Sequence, residues 1–167
     1  TEGKAYSISS APHESQVRLS VKEIGDFSKI LLNLSEGDEV FTSAPYGFFY
    51  PEAGYSEPLV FVVGGIGITP CLSIIKEMLH QGDERELFLH YSNQTVQETA
   101  FHAELEELAR THPKLQISYY ITRQEHVDPA FQNHRMEAKD ILDFPNSVNA
   151  EYFICGSMDF TKALWLH

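Results

Sequence analysis

Leu59-Val60-Phe61-Val62-Val63-Gly64-Gly65-Ile66-Gly67-Ile68-Thr69-Pro70 changes character twice along its length. Leu59–Val63 is a continuous apolar run of strand length, the mark of a strand buried on both faces. The glycines after it make a tight turn. Thr69 and Pro70 then stand as N-cap and first residue of a helix running toward His80, with Gly82 beyond its end. Strand, glycine turn and helix in that order bring backbone amides and a helix N-terminus to one point. Such a point suits an anion, for instance a dinucleotide pyrophosphate. The G-x-G-x-x-G pattern is incomplete, because Pro70 occupies the third glycine position. Spacing leaves two readings open, a phosphate cradle or a plain tight connection between strand and helix.

Downstream, the alternation of strand and helix continues. Glu86–Tyr91 reads as a strand, and Thr95 with Glu98 has the spacing of a capping box. Phe101, Leu105 and Leu108 form the apolar stripe of the next helix, and Leu115–Tyr120 and Tyr152–Cys155 supply further strands. This order predicts a parallel sheet covered by helices. Upstream the pattern differs. Val17, Leu19 and Val21 alternate with Arg18, Ser20 and Lys22, as in a half-buried antiparallel strand. Lys4–Ser9 and Glu39–Ser43 are two more strand candidates, and Phe27–Leu34 reads as a short helix with Asp26 as N-cap. Pro51–Pro58 has no usable periodicity and marks a boundary. The expected fold is α/β plus β: part of an antiparallel barrel over residues 1–57, then a parallel-sheet nucleotide-binding domain over residues 58–167.

Composition narrows the function. The 167 residues are 43% apolar, enough for a core, and carry a formal charge of −12. That acidity argues against non-specific nucleic-acid binding and against docking on anionic lipid. No apolar stretch is long enough to span a membrane and no signal peptide opens the chain, so a cytoplasmic location is expected. Cys71 and Cys155 are too few for an iron–sulfur cluster or a cysteine zinc site, and read as free thiols. His102 and Glu106 have helical i, i+4 spacing, but no further ligand pattern accompanies them, so no metal site is expected. Glu104, Glu106 and Glu107 read as a solvated helix face.

Five stretches, taken in order, resemble motifs of the ferredoxin–NADP reductase superfamily. Lys4–Pro12 (KAYSISSAP) looks like its Arg-x-Tyr-Ser/Thr flavin motif, and Gly25–Ser28 (GDFS) like its Gly-x-x-Ser flavin-pyrophosphate motif. Ala44–Phe49 (APYGFF) resembles the close of its barrel, Gly64–Pro70 (GGIGITP) its nicotinamide turn, and Ile154–Ser157 (ICGS) its late Cys-Gly motif. The resemblance covers essentially the whole chain. It implies that Tyr6 packs on the isoalloxazine, that Ser7 hydrogen-bonds near flavin N5, and that Lys4 stands in an arginine's place without its bidentate fork. Val21, Lys22, Gly25, Phe27 and Ser28 complete the implied flavin site. Gly64, Gly65, Ile66, Gly67, Ile68, Thr69 and Pro70 would hold the nicotinamide nucleotide, with Gln94, Arg123, Gly156 and Ser157. Thr69, Ser7 and Cys155 would lie nearest the reacting rings.

The function so implied is a reductase that passes a hydride from NADH or NADPH to FAD, and then single electrons to a haem or iron–sulfur partner. An alternative is a flavin-free nucleotide-binding or electron-transfer module. In the family about half the barrel precedes the flavin motif, and a last strand follows the final helix. The open barrel edges are therefore expected to be covered, by a partner or an oligomer. The run YSNQT after the second strand, with the later AELEEL, resembles the NADH-dependent cytochrome reductases of this superfamily. Neutral Gln94, with Glu98 nearby, favours NADH over a 2′-phosphorylated nucleotide. Arg123 is the residue that would reverse this preference by folding over the same pocket.

Overall fold

The computed structural model describes residues 3–52 and 54–165, and of Trp165 only its place in a helix. Ala53 of the boundary stretch, and the end of the helix expected to reach His167, lie outside the described residues. Five strands make one all-parallel sheet: β1 (Leu59–Gly64), β2 (Leu87–Asn93), β3 (Leu115–Ile121), β4 (Phe131–Gln132) and β5 (Glu151–Cys155). The helices are α1 (Asp26–Leu32), α2 (Ile68–His80), α3 (His102–Thr111), α4 (Ala138–Leu142) and α5 (Met158–Trp165).

Period-2 side-chain alternation sorts the sheet into two faces. Leu59, Phe61 and Val63 pack with Leu72 and Ile75 of α2 and Leu105 of α3, while Val60 and Val62 pack on the other side with Tyr120, Met136 and Ile141. Helices on both faces leave no residue of Leu59–Val63 more than 1% exposed. That explains why the run is apolar without interruption, each such side chain stabilising the fold by roughly 1.5–3 kcal/mol. Among the described residues no helix is long and apolar enough to cross a membrane.

The strand order is β4-β3-β2-β1-β5. The chain therefore steps outward from β1 to β4, then returns to the opposite side of β1 as β5. The reversal opens a crevice at the C-terminal ends of β1 and β5, where parallel sheets collect ligands.

The four strands read from the sequence after residue 58 are all present within two residues at either end. Their helix starts need correction. Thr69 is the second residue of α2 rather than its cap, because Gly65–Gly67 form a 3-10 turn that begins the helical run early. Pro70, the third residue of α2, still lies in the first turn, where a missing N–H costs nothing. Gly25, not Asp26, caps α1. Thr95 caps a short 3-10 turn (Val96–Glu98) instead of α3, which begins after Phe101 in a left-handed conformation, φ 61°. β4 and α4 carry too little periodicity to be read from the sequence.

Upstream, Lys4–Ser9 and Val17–Val21 form no regular strand. One antiparallel bridge, Ile8 to Leu19, holds them together, aided by Ser9 N–H donating to the Arg18 carbonyl at 2.8 Å. Glu39–Ser43 has no regular secondary structure and is exposed, with no strand partner among the described residues. An isolated pair of strands is marginal in water, and a third is needed before a sheet holds. Many large apolar side chains of this half, among them Val17, Phe41, Tyr46 and Phe48, are exposed.

Candidate functional site

The crevice between β1 and β5 is lined by two glycine-bearing turns pressed together. Val63 pairs with Cys155 across the strands, so the turn after β1 and the turn after β5 leave the sheet side by side. A Cβ on Gly67 would lie 2.4 Å from the Cys155 carbonyl oxygen and 2.8 Å from the Gly156 nitrogen. A Cβ on Gly64 would lie 2.9 Å from the Phe160 ring, and one on Gly156 would lie 2.6 Å from that same ring. Only glycine allows this approach. Gly65 is different. Its φ of +55° demands left-handed backbone, yet nothing lies within 4 Å of its Cβ position. Open space at the start of a helical run, where the leading amides have no helical carbonyl before them, fits the pyrophosphate of a dinucleotide.

Around this core, hydroxyls shape the turns. Thr69 is buried and its Oγ1 donates to the Ile66 carbonyl at 3.1 Å, so its hydroxyl fastens the glycine turn. Ser157 caps α5, its Oγ accepting from the Phe160 N–H at 3.2 Å. Ile68 is fully buried, whereas Ile66 and Pro70 are half-buried on the turn. Burial pushes the half-buried Cys155 thiol above its ordinary pKa, keeping it protonated and uncharged beside the crevice. Cys71, buried on α2, is raised further, first by burial and then by the neighbouring Cys155.

Beyond the ends of β2 and β3, two residues chosen from the sequence meet. Arg123 N–H donates to the Gln94 carbonyl at 2.9 Å, and its Nη1 donates to Gln94 Oε1 at 3.3 Å. The guanidinium thus reaches the Gln94 side chain. Glu98 lies 3.5 Å from the Lys22 ammonium, so its charge is partly balanced.

The residues implied for flavin are placed less uniformly. Tyr6 and Phe27 are half-buried and stack with ring centres 6.2 Å apart and planes 19° from parallel. Lys4 and Ser7 are exposed, and among the described residues no side-chain partner engages either. Val21 is half-buried and Lys22 exposed. Ser28 departs from expectation. Its buried hydroxyl accepts from the Ile24 and Gly25 amides and donates to the Gly25 carbonyl at 2.7 Å, so it is spent on closing α1. Three residues past Ser7, the Ser10 carbonyl accepts from Ser73 Oγ at 2.7 Å, one helical turn beyond Thr69. The flavin-motif segment is thereby tied to the helix that leaves the glycine turn.

Sequence reasoning missed Phe160, whose ring closes the gap between Gly64 and Gly156. Its i+4 spacing from Gly156 in the α5 segment was the available signal. His102 spends its ring on Tyr119 and Phe131, at 4.9 and 5.4 Å, in aromatic packing. A cleft of about 800 Å³ between Phe88, His90, Tyr120 and α4 contains none of the motif residues.

Comparison with known proteins agrees with this geometry. The family model of the oxidoreductase NAD-binding domain matches residues 61–164. The flavohemoprotein of Bacillus subtilis (strain 168) is 29% identical over 169 residues, covering 98% of this chain and 42% of that protein. Flavohemoglobin from Malassezia yamatoensis, solved with bound FAD and heme, superimposes with a TM-score of 0.74 at 27% identity, over 95% of this chain and 41% of that one. The flavohem-like FAD/NAD-binding domain of nitric oxide dioxygenase from Vibrio cholerae O1 biovar El Tor gives a TM-score of 0.77 at 22% identity, over 95% of this chain and 67% of that one. This chain spans less than half the length of the flavohemoproteins it matches. It belongs to the oxidoreductase NAD-binding domain family, on the fold of the ferredoxin–NADP reductase superfamily.

Proposed function

We propose that this chain is the electron-entry part of a flavin-dependent reductase, taking a hydride from a nicotinamide nucleotide to FAD and passing electrons to a haem or iron–sulfur partner. One observation carries the reading: the Gly64–Pro70 turn and the Cys155-Gly156 turn meet at the topological switch point, with open space over Gly65. FAD and heme bound in the Malassezia flavohemoglobin support the choice of cofactor and of acceptor class. Residues 1–57 then contribute to the flavin barrel and residues 58–167 bind the nucleotide. The exposed apolar side chains between Val17 and Tyr55 are the surface on which further barrel, a partner or a second copy would close. Free thiols at Cys71 and Cys155 suit a reducing, cytoplasmic compartment.

When bound, the two cofactors supply the hydride transfer. The chain's own residues hold and orient. Gly65 and the start of the helical run receive the pyrophosphate, with Ile66, Ile68 and Pro70 shaping that turn. Gly67, Gly64, Gly156 and Phe160 keep the crevice narrow, and Ser157 fixes the β5 turn through its cap. Thr69 pins the turn, and the uncharged Cys155 thiol borders the reacting rings. Tyr6 on Phe27 offers a flat surface for the isoalloxazine, Ser7 an exposed hydroxyl, Lys4 an exposed ammonium. Val21, Lys22, Gly25 and the amides near Ser28 line the rest of the flavin site. Gln94 can hydrogen-bond ribose hydroxyls. Neutral Gln94 with Glu98 nearby supports NADH as the preferred nucleotide, and the Arg123 guanidinium, in side-chain contact with Gln94 at 3.3 Å, is the group that would reverse it.

The test is whether bound FAD bleaches anaerobically on adding NADH, and faster than with NADPH at equal sub-saturating concentration. Faster reduction by NADPH would overturn the nucleotide preference and make Arg123 the residue responsible. A second reading, a flavin-free nucleotide-binding module, is favoured by the committed Ser28 hydroxyl and the irregular Lys4–Ser43 region. A colourless protein that cannot be reconstituted with FAD, yet binds NADH, selects it.

A further inference from the structure

One face of α2 is given over to the upstream segment. Ser73, Lys76, Glu77 and His80 follow the i, i+3, i+4, i+7 spacing of a helical stripe, which continues back to Thr69. Ser73 bonds the Ser10 carbonyl. Glu77 Oε2 accepts from the His13 amide at 3.3 Å and lies 2.7 Å from His13 Nδ1, and the His13 ring stacks on His80 at 3.8 Å. At the centre, the Lys76 ammonium sits between Glu14 and Glu104, 2.9 Å from Glu104 Oε1, with only 10% of its side chain exposed. Arg18 Nη2 reaches both Glu104 oxygens at 3.0 and 3.3 Å, and its guanidinium lies 5.3 Å above the Phe101 ring. Two cations and two carboxylates thus form a neutral, partly buried cluster. Each of its ties to the upstream segment ends on α2, on α3 or at the start of α3, and none enters the sheet core.

We propose that Lys76 is a positioning residue, the hub of a latch that locks the Ser9–Ser20 segment to α2 and so sets the approach of flavin to nicotinamide. The proposal rests on the functional reading above. Its physical basis is rigidity. The segment carrying Tyr6 and Ser7 lacks a strand ladder, so its placement relative to Thr69 depends on these polar contacts. Charge balance makes Lys76 the weak point. Without it, Glu14 and Glu104 face one another as like charges in a partly buried site, whereas an arginine keeps the balance.

The experiment compares wild type, Lys76→Met and Lys76→Arg in the full, FAD-loaded chain. Lys76→Met should slow flavin reduction at saturating NADH by about tenfold to a hundredfold, as expected for a small misplacement of reactants. FAD content and NADH affinity should stay near wild type. Amide exchange should rise across residues 9–20 while β1, β2 and β5 remain protected. Lys76→Arg should restore both rate and protection. An unchanged rate in Lys76→Met, or exchange rising equally across the sheet, overturns the latch. Wild-type protein that NADH does not reduce overturns the functional reading instead, and the exchange pattern still judges the latch.

Discussion

Two glycines with one residue between them have different reasons to be glycine. At Gly67 the obstacle is backbone, since a Cβ would strike the Cys155 carbonyl at 2.4 Å and the β5 turn must move to admit it. Gly67→Ala should therefore destabilise the protein by about 1–3 kcal/mol, the range of overpacking, as a lower midpoint in chemical denaturation. At Gly65 there is room, but left-handed backbone costs an ordinary residue roughly 1–2 kcal/mol. Gly65→Asn, which tolerates that region, should keep most of the stability while its side chain enters the open space and weakens NADH binding. A titration showing unchanged affinity in Gly65→Asn would remove this position from the nucleotide site. Cys155 is a third case. Its folded pKa lies above the ordinary thiol value of 9.0, so at neutral pH it is a poor nucleophile. Alkylation of native protein should be slow, and Cys155→Ala should lower the rate of flavin reduction with FAD content unchanged. If stability falls and the rate does not, the thiol is only a packing group.

Among the elements, α2 joins the two halves of the site, and its latch face has a defined response to acid. Hydrogen bonding from Lys76 lowers the pKa of Glu14. Burial opposes ionisation of Glu104, but hydrogen bonds from Lys76 and Arg18 outweigh it and its pKa is lowered too. A carboxylate whose folded pKa is depressed contributes stability above its unfolded pKa, and loses it as pH falls through the folded value. The junction should thus be intact above the ordinary value of 4.5 and loosen progressively below it. Amide exchange of residues 9–20 against pH measures this; protection that is flat through the acid range would contradict it. These ties explain what the sequence could not convey. The buried strand β1 was legible because its continuous apolar run reports burial on both faces. Lys76, Glu14 and Arg18 look like ordinary surface charges until α2 and the upstream segment are brought together. Likewise Thr69 and Asp26 were sound cap candidates by residue type, but the preceding glycines extended one helical run and capped the other.

At the level of the whole molecule, topology places the site and local motifs refine it. Alternating strands and helices implied a parallel sheet, and the five ordered motifs implied the family; strand order alone shows that the Gly64–Pro70 and Ile154–Ser157 stretches are neighbours. The flavin side was less legible, because antiparallel strands depend on partners distant in sequence, and Phe41 read as a strand residue though it lies exposed. The central claim is that a nucleotide in the β1–β5 crevice delivers a hydride to flavin held by the upstream half. Anaerobic single-turnover reduction of the FAD-loaded, full chain by NADH carrying deuterium at the transferred C4 position tests it directly. The account predicts complete flavin bleaching that is slower with deuterated than with ordinary NADH. Flavin that stays oxidised in the presence of saturating NADH would contradict it.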